Sequence, residues 1–211
     1  LRRYSPMTTI GGGLVLDVNP RKHHKKDLSE VVPQLRKLWS ALKEKDPNID
    51  SILADYLVRL HGQSGVSLAE LVARTGLLKD PLLELLQNLD SVTLTQQDPV
   101  WAVHNSALEI LKDQIVDFLE QFHSSHPLAT GLSREELRER FFSRAPNSHF
   151  QFVLKNLAGE ERIQASHSVV SRYGRHVTLN SEQEKLKQDI LQLHLKRGLQ
   201  PPTLDELLKK F

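Results

Sequence analysis

Three short stretches of this chain repeat one pattern: a hydroxyl residue, a glutamate three positions later, and then a leucine. Residues 67–71 read SLAEL, residues 133–137 read SREEL and residues 203–207 read TLDEL, at offsets of 66 and 70 residues. In such a capping box the hydroxyl accepts the amide of the third residue, whose glutamate bonds back to the cap. One box is common in helical proteins, whereas three at near-equal spacing indicate a repeated structural unit.

The context of each box is also repeated. A longer amphipathic helix precedes each copy, and in the first two copies a third helix and two strand-like runs follow. The third helix of the first copy is predicted to begin at Asp80-Pro81, and that of the second at Asn147 or Ser148. The hairpins are predicted over 92–104 and 162–179, the second with its tip at 171–175. Three helices and a hairpin in about 70 residues form the winged-helix layout.

The predicted fold class is therefore mainly α, with tandem winged-helix domains and a short β remnant at the N-terminus. In the remnant, strand-like runs at 7–10 and 14–17 flank three glycines. The predicted segments are the remnant at 1–20, a basic linker and helix at 21–47, one winged helix at 48–105, a second at 106–180, and the truncated start of a third at 181–211.

Apolar stripes with helical spacing predict the buried faces of the helices. A helix over 27–45, with Pro33 as its alternative start, has a stripe made of Leu28, Val31, Val32, Leu35, Leu38, Trp39 and Leu42. The first helix of the third copy, over 183–197, is expected to bury Leu186, Ile190, Leu193 and Leu195.

Composition excludes several classes of function. Lys plus Arg is 28 and Asp plus Glu is 26, a balance that does not by itself indicate nucleic-acid binding. Zero cysteines exclude disulfides, thiolate zinc sites and a cysteine nucleophile. The three glycines at 11–13 lack the lysine and helix of a phosphate-binding loop. We expect a cytoplasmic, non-membrane chain that is no enzyme, with no catalytic, cofactor or metal site.

Basic residues supply the candidate nucleic-acid contacts. The linker offers Arg21, Lys22, Lys25 and Lys26, and the predicted second hairpin tip offers Arg172, Tyr173 and Arg175. Arginines can hold phosphates while an aromatic ring stacks on a base. The alternative interpretations are a solvated linker and an ordinary charged loop. The third helices offer only Lys79 and Lys155, so they are poorly suited to reading a DNA major groove.

Three stretches resemble bacterial selenocysteine-specific elongation factors, the SelB family. Residues 4–17 (YSPMTTIGGGLVLD) resemble the end of that family's third β-barrel domain, which is elongation factor Tu-like. Residues 126–138 (HPLATGLSREELR) resemble its second winged helix, and residues 198–207 (GLQPPTLDEL) resemble the start of its third.

The resemblance implies a function for the parent protein. Such factors have a body that binds GTP with magnesium and selenocysteinyl-tRNA, and winged helices that bind a selenoprotein messenger RNA hairpin at the ribosome for UGA recoding. This chain would be the monomeric arm between that body and the hairpin-binding module. A tandem winged-helix module for protein–protein contact, or a DNA-binding regulator, remains the alternative.

Overall fold

The computed structural model describes most of the chain. Outside the described part lie residues 1, 5, 13, 14, 16, 21, 23, 26, 27, 96, 97, 144, 178, 180, 199 and 211, together with the side chains of residues 2, 3, 30, 209 and 210. Helices dominate, and they are α1 (Leu28–Glu44), α2 (Ile49–Leu60), α3 (Leu68–Thr75), α4 (Lys79–Gln87), α5 (Asn105–Ser125), α6 (Arg134–Phe142), α7 (Asn147–Gly159), α8 (Ser181–Arg197) and α9 (Leu204–Lys210). The strands are β1 (Arg2–Arg3), β2 (Thr8–Thr9), β3 (Val66–Ser67), β4 (Val92–Leu94), β5 (Trp101–His104), β6 (Leu132–Ser133), β7 (Ile163–Ala165) and β8 (Val169–Arg172).

Two three-stranded antiparallel sheets share one topology. Their strand orders are β3-β5-β4 and β6-β8-β7, so the first and shortest strand pairs with the last. The helix after that short strand is tied to the sheet in the same way each time: Leu68 N–H donates to the Val100 carbonyl and Arg134 N–H to the Ser168 carbonyl, both at 3.0 Å. The tandem winged-helix fold class is confirmed. The short strands β3 and β6 were not predicted from the sequence.

Capping explains where the repeated helices begin. Ser67 Oγ accepts the Glu70 amide at 3.1 Å, and Thr203 Oγ1 accepts the Glu206 amide at 3.4 Å. The predicted start of α4 at Asp80-Pro81 was wrong, because the helix begins at Lys79 with Leu78 in the cap position. Pro81 is still tolerated, since the first-turn amide that it lacks has no partner inside a helix.

The chain divides into two compact units. One comprises Leu1–Gln114 and Arg138–Asn156, and the other comprises Ile115–Leu137 and Leu157–Phe211. The core of the first unit is built around Leu57, Leu71, Leu82 and Leu86, all 0% exposed. In the second unit the most buried side chains include Ile115, Leu119, Leu132, Leu137, Leu157 and Val170. The boundaries proposed at 105 and 180 stay predictions.

Two predicted apolar stripes are only partly buried. On α1, which begins at Leu28 and contains Pro33, Leu38 is 1% exposed, whereas Trp39 is 59% exposed. On α8 none of the described side chains is buried, and Leu195 is 81% exposed. A periodic stripe shows which face can be buried, but burial also needs a packed neighbour.

The N-terminal remnant differs from its prediction. Thr8–Thr9 forms a strand as expected, and it pairs with Arg2–Arg3. Leu14 and Leu16 lie outside the described residues, and Val15 and Asp17 are in no strand. Three glycines favour a turn but do not specify which segment pairs across it.

Candidate nucleic-acid interface

Arg172, Tyr173 and Arg175 do not lie at the tip of a hairpin. The turn between β7 and β8 is at 166–168, where the Ser166 hydroxyl accepts the Val169 amide at 3.2 Å. Arg172 ends β8, and Gly174, at φ +69°, makes the turn that leaves the sheet. The predicted tip at 171–175 was wrong, because Tyr-Gly turn chemistry is equally suited to ending a strand. We call residues 172–175 the wing base.

Both wing-base arginines already have protein partners. Arg172 Nη2 lies 2.6 Å from Glu120 Oε1 of α5, and both side chains are partly exposed. Arg175 Nη2 donates to the Pro127 carbonyl at 2.5 Å, just beyond the end of α5. Cations at a helix C-terminus are favourable because the last carbonyls carry partial negative charge. The arginines therefore hold the wing base against the end of α5.

His123 lies beneath the wing base and is 5% exposed. Its Nε2 accepts a long hydrogen bond of 3.4 Å from the Arg172 amide, so the neutral ring carries its proton on Nδ1. Among the described residues Nδ1 has no hydrogen-bond partner. Burial, with a smaller contribution from the Arg175 charge, lowers the pKa of His123 below its ordinary value. The ring is therefore a neutral acceptor for the Arg172 amide at neutral pH.

A pocket of about 400 Å³ opens at the wing base. It is lined by Glu120, His123, Ser124, Arg172, Tyr173, Gly174 and Arg175. Two guanidinium groups and one carboxylate leave one net positive charge, and Tyr173 is 53% exposed. Such a pocket can present donors to a phosphate and a ring to a base, but Glu120 competes for Arg172.

Sequence patterns did not reveal the members of this pocket that α5 supplies. Glu120, His123 and Ser124 are about 50 residues before the wing base in the chain, and no local pattern marks them. In the linker, Lys22 and Lys25 are exposed, whereas Arg21 and Lys26 lie outside the described residues. The structure therefore brings the three wing-base residues together at one pocket.

The third helices present few cations on their exposed faces. On α4 the exposed side chains include Lys79, Asp80 and Glu84, and on α7 the described lysine is Lys155. In the described part of the chain no group of three or more His, Asp or Glu residues is placed to hold a metal ion. None of the described helices is both long and apolar enough to cross a membrane.

Three helices with a three-stranded wing sheet, present twice, define a tandem winged-helix protein. Residues 116–171 match the family described as "Elongation factor SelB, winged helix". The curated protein "Selenocysteine-specific elongation factor" of Desulfomicrobium baculatum is 26% identical over 215 residues, covering 100% of this chain and 32% of that protein. This chain thus spans about a third of its relative's length. The chain is thus similar to the SelB family of translation elongation factors, over residues 116–171 by the family model and over its whole length by this relative, which confirms the resemblance.

Proposed function

We propose that this chain is the arm that connects the GTPase and tRNA-binding body of a selenocysteine-specific elongation factor to its messenger RNA hairpin-binding module. One observation carries the proposal: the whole chain aligns with a third of such a factor and contains no phosphate-binding loop. GTP with magnesium, and selenocysteinyl-tRNA, are then ligands of other parts of the parent protein. The arm itself has no enzymatic role and works as a monomer in the cytoplasm, at the ribosome.

Within this arm the wing base and the linker are the proposed RNA contacts. Arg172, Arg175, Lys22 and Lys25 offer cations, and Tyr173 offers an exposed ring. These groups neutralise phosphates without forming a set of donors and acceptors directed at base edges. We therefore expect weak binding of hairpins, with little dependence on sequence and a steep fall as salt rises.

Filter binding of a cognate selenoprotein hairpin, a scrambled hairpin and duplex DNA at several salt concentrations tests this. The double variant Arg172→Ala with Arg175→Ala should weaken the binding of both RNAs by a similar factor. It should also reduce the slope of log K against log salt by about 1 for every phosphate that the variant no longer neutralises. Arg36→Ala with Lys43→Ala removes two exposed charges from α1 and is the matched control. Equal weakening in both variants would assign the binding to overall charge, and sequence-selective binding would contradict the connecting role.

Glu120→Gln separates RNA contact from a purely structural role of Arg172. The substitution removes the carboxylate that holds Arg172 at 2.6 Å and frees the guanidinium for a phosphate. We expect RNA affinity to rise while thermal stability changes little, since exposed ion pairs contribute only about 0–1 kcal/mol. Unchanged or weaker RNA binding by this variant would mean that Arg172 serves only to hold the wing base.

A protein-contact module is the second candidate, and one observation favours it. The helix α8 has 17 residues, and two of its leucines, Leu191 and Leu195, are 53% and 81% exposed. If α8 docks onto a protein, Leu191→Lys with Leu195→Lys should abolish pull-down of ribosomes while leaving RNA affinity intact. Loss of both activities together would favour the RNA-binding proposal.

A further inference from the structure

A buried ion pair joins the N-terminal segment to α3. Arg74 Nε donates to Asp17 Oδ1 at 3.1 Å, and Arg74 Nη2 donates to Asp17 Oδ2 at 2.5 Å. The side chains are 3% and 11% exposed, and the two residues are 57 positions apart in the chain. This two-pronged geometry is the strongest that arginine makes with a carboxylate.

The surroundings of Arg74 form a receptor for a carboxylate. Arg74 Nη1 lies 2.9 Å from His61 Nε2, and the ring of His61 is buried after the end of α2. Glu70, one turn earlier on α3, is 3.5 Å from Arg74 but is 41% exposed on its side chain. A buried arginine is costly unless it is paired, and the nearer and more buried carboxylate beside this charge is that of Asp17 rather than that of Glu70.

The described aliphatic side chains of the N-terminal segment are largely exposed. Val15 and Val18, on either side of Asp17, are 73% and 67% exposed, and Ile10 is 68% exposed. Asn19 N–H also donates to Asp17 Oδ1 at 3.0 Å, which orients the carboxylate locally. Among the described residues of this segment, Asp17 thus makes the ion pair with α3, whereas Ile10, Val15 and Val18 are exposed to solvent.

We propose that Arg74 of α3, whose guanidinium is also held by His61 after α2, is a receptor for a carboxylate, and that its occupant is Asp17 of this chain's own N-terminal segment. We call this contact the latch. It fixes the segment that precedes α1 on the first winged helix. The latch itself does not depend on the proposed function. If that function holds, the latch sets the direction in which the arm leaves the body of the elongation factor.

The latch is consistent with the protonation behaviour of its groups. Burial acts to raise the pKa of Asp17, but hydrogen bonds from Arg74 and Asn19 and the charge of Arg74 outweigh it, so the pKa is lowered. The buried Tyr56 of α2 responds in the opposite sense, because burial and the Asp17 charge raise its pKa against the effect of Arg74. Asp17 is therefore ionised when docked.

The chain has no cysteine, so two introduced cysteines can carry spin labels at defined sites. Val18→Cys in the segment and Ala73→Cys on the exposed side of α3 report whether the segment is docked. Double electron–electron resonance should give one narrow distance distribution, and adding Asp17→Asn should broaden it strongly. Glu70→Gln changes a carboxylate of the same cluster without touching the segment, and Asp50→Asn is the remote control. Both should leave the distribution narrow.

Each outcome decides the proposal. An unchanged distribution in the Asp17→Asn protein would overturn the latch, and equal broadening in the Glu70→Gln protein would attribute the effect to general loosening of α3. Circular dichroism melting of every labelled variant checks that the winged helices stay folded. Because the experiment contains no RNA, its failure is distinguishable from a failure of the proposed function.

Discussion

In the described part of the chain, His104, His123 and His149 are buried and have pKa values below the ordinary value of histidine. Burial is the main cause of the lowered pKa of His104; the charge of Arg59 lowers this pKa further, and the charge of Asp55 opposes the lowering. Burial is also the main cause for His123 and for His149. His149 is 0% exposed, donates from Nε2 to the Gln63 carbonyl at 3.1 Å and packs edge-on to Phe142. A cationic ring at this position would lose most of its hydration.

We predict that His149 makes the protein less stable in mild acid. A histidine with a lowered pKa in the folded state contributes stability that is complete above its ordinary value and is lost as the pH falls through the lowered value. The unfolding free energy of the His149→Gln protein should therefore fall less between pH 7 and pH 5. The difference should be about 1.4 kcal/mol for each pH unit by which folding lowers the pKa of His149. Urea unfolding across this pH range measures the fall.

His167→Gln is the matched control, because His167 is exposed in the turn of the second wing. The unfolding free energy of the His167→Gln protein should change with pH as that of the parent chain does. His104 and His123 remain in both variants, so the slope should become shallower and not vanish. An equally steep slope in the His149→Gln protein would contradict the buried neutral state of this ring.

At the scale of elements, a glycine stands directly before the short first strand of each wing sheet. Gly65 precedes β3 and Gly131 precedes β6, at the 66-residue offset of the capping boxes. A Cβ on Gly131 would come within 2.7 Å of the Val170 carbonyl oxygen. On Gly65, at φ +64°, it would come within 2.6 Å of Trp101, whose indole is fixed by a hydrogen bond to the Ser64 carbonyl. The position directly before each short strand therefore requires glycine.

Two alanine substitutions separate backbone strain from steric conflict. Gly76, the C-cap of α3 at φ +74°, has open space around it, so Gly76→Ala should cost about 1 kcal/mol from the left-handed backbone alone. Gly65→Ala should cost on the order of 3 kcal/mol, because the Trp101 contact adds to the strain. Chemical denaturation compares them, and equal costs would mean that Trp101 moves aside freely.

At the scale of the whole molecule, the chain aligns with about a third of the length of its relative, a selenocysteine-specific elongation factor. It has no glycine-rich loop ending in Lys-Ser or Lys-Thr, which is the motif that cradles nucleotide phosphates. We predict that calorimetric titration with GTP and magnesium gives no saturable heat. A thermal melt of the same sample confirms that the protein is folded, and a micromolar binding isotherm would reveal a nucleotide site outside this motif.

The repeats, the helices and the winged-helix layout could be predicted from the sequence because they depend on local rules. Ser67 and Thr203 cap helices through amides three residues away, and the stripe over Leu108, Leu111, Ile115 and Leu119 recurs every three or four positions. Such signals lie within one or two helical turns and therefore survive without tertiary context.

Tertiary structure alone decided the rest, because the contacts join residues that no local rule connects. The turn of the second wing lies at 166–168 and not at 171–175, since β7 and β6 pair with β8 in a register that no local turn pattern specifies. Arg172 meets Glu120 and Arg175 meets Pro127 over about 50 residues, and Asp17 meets Arg74 over 57. A charged residue in the sequence has no partner until folding brings one near, and burial then determines what that charge can do.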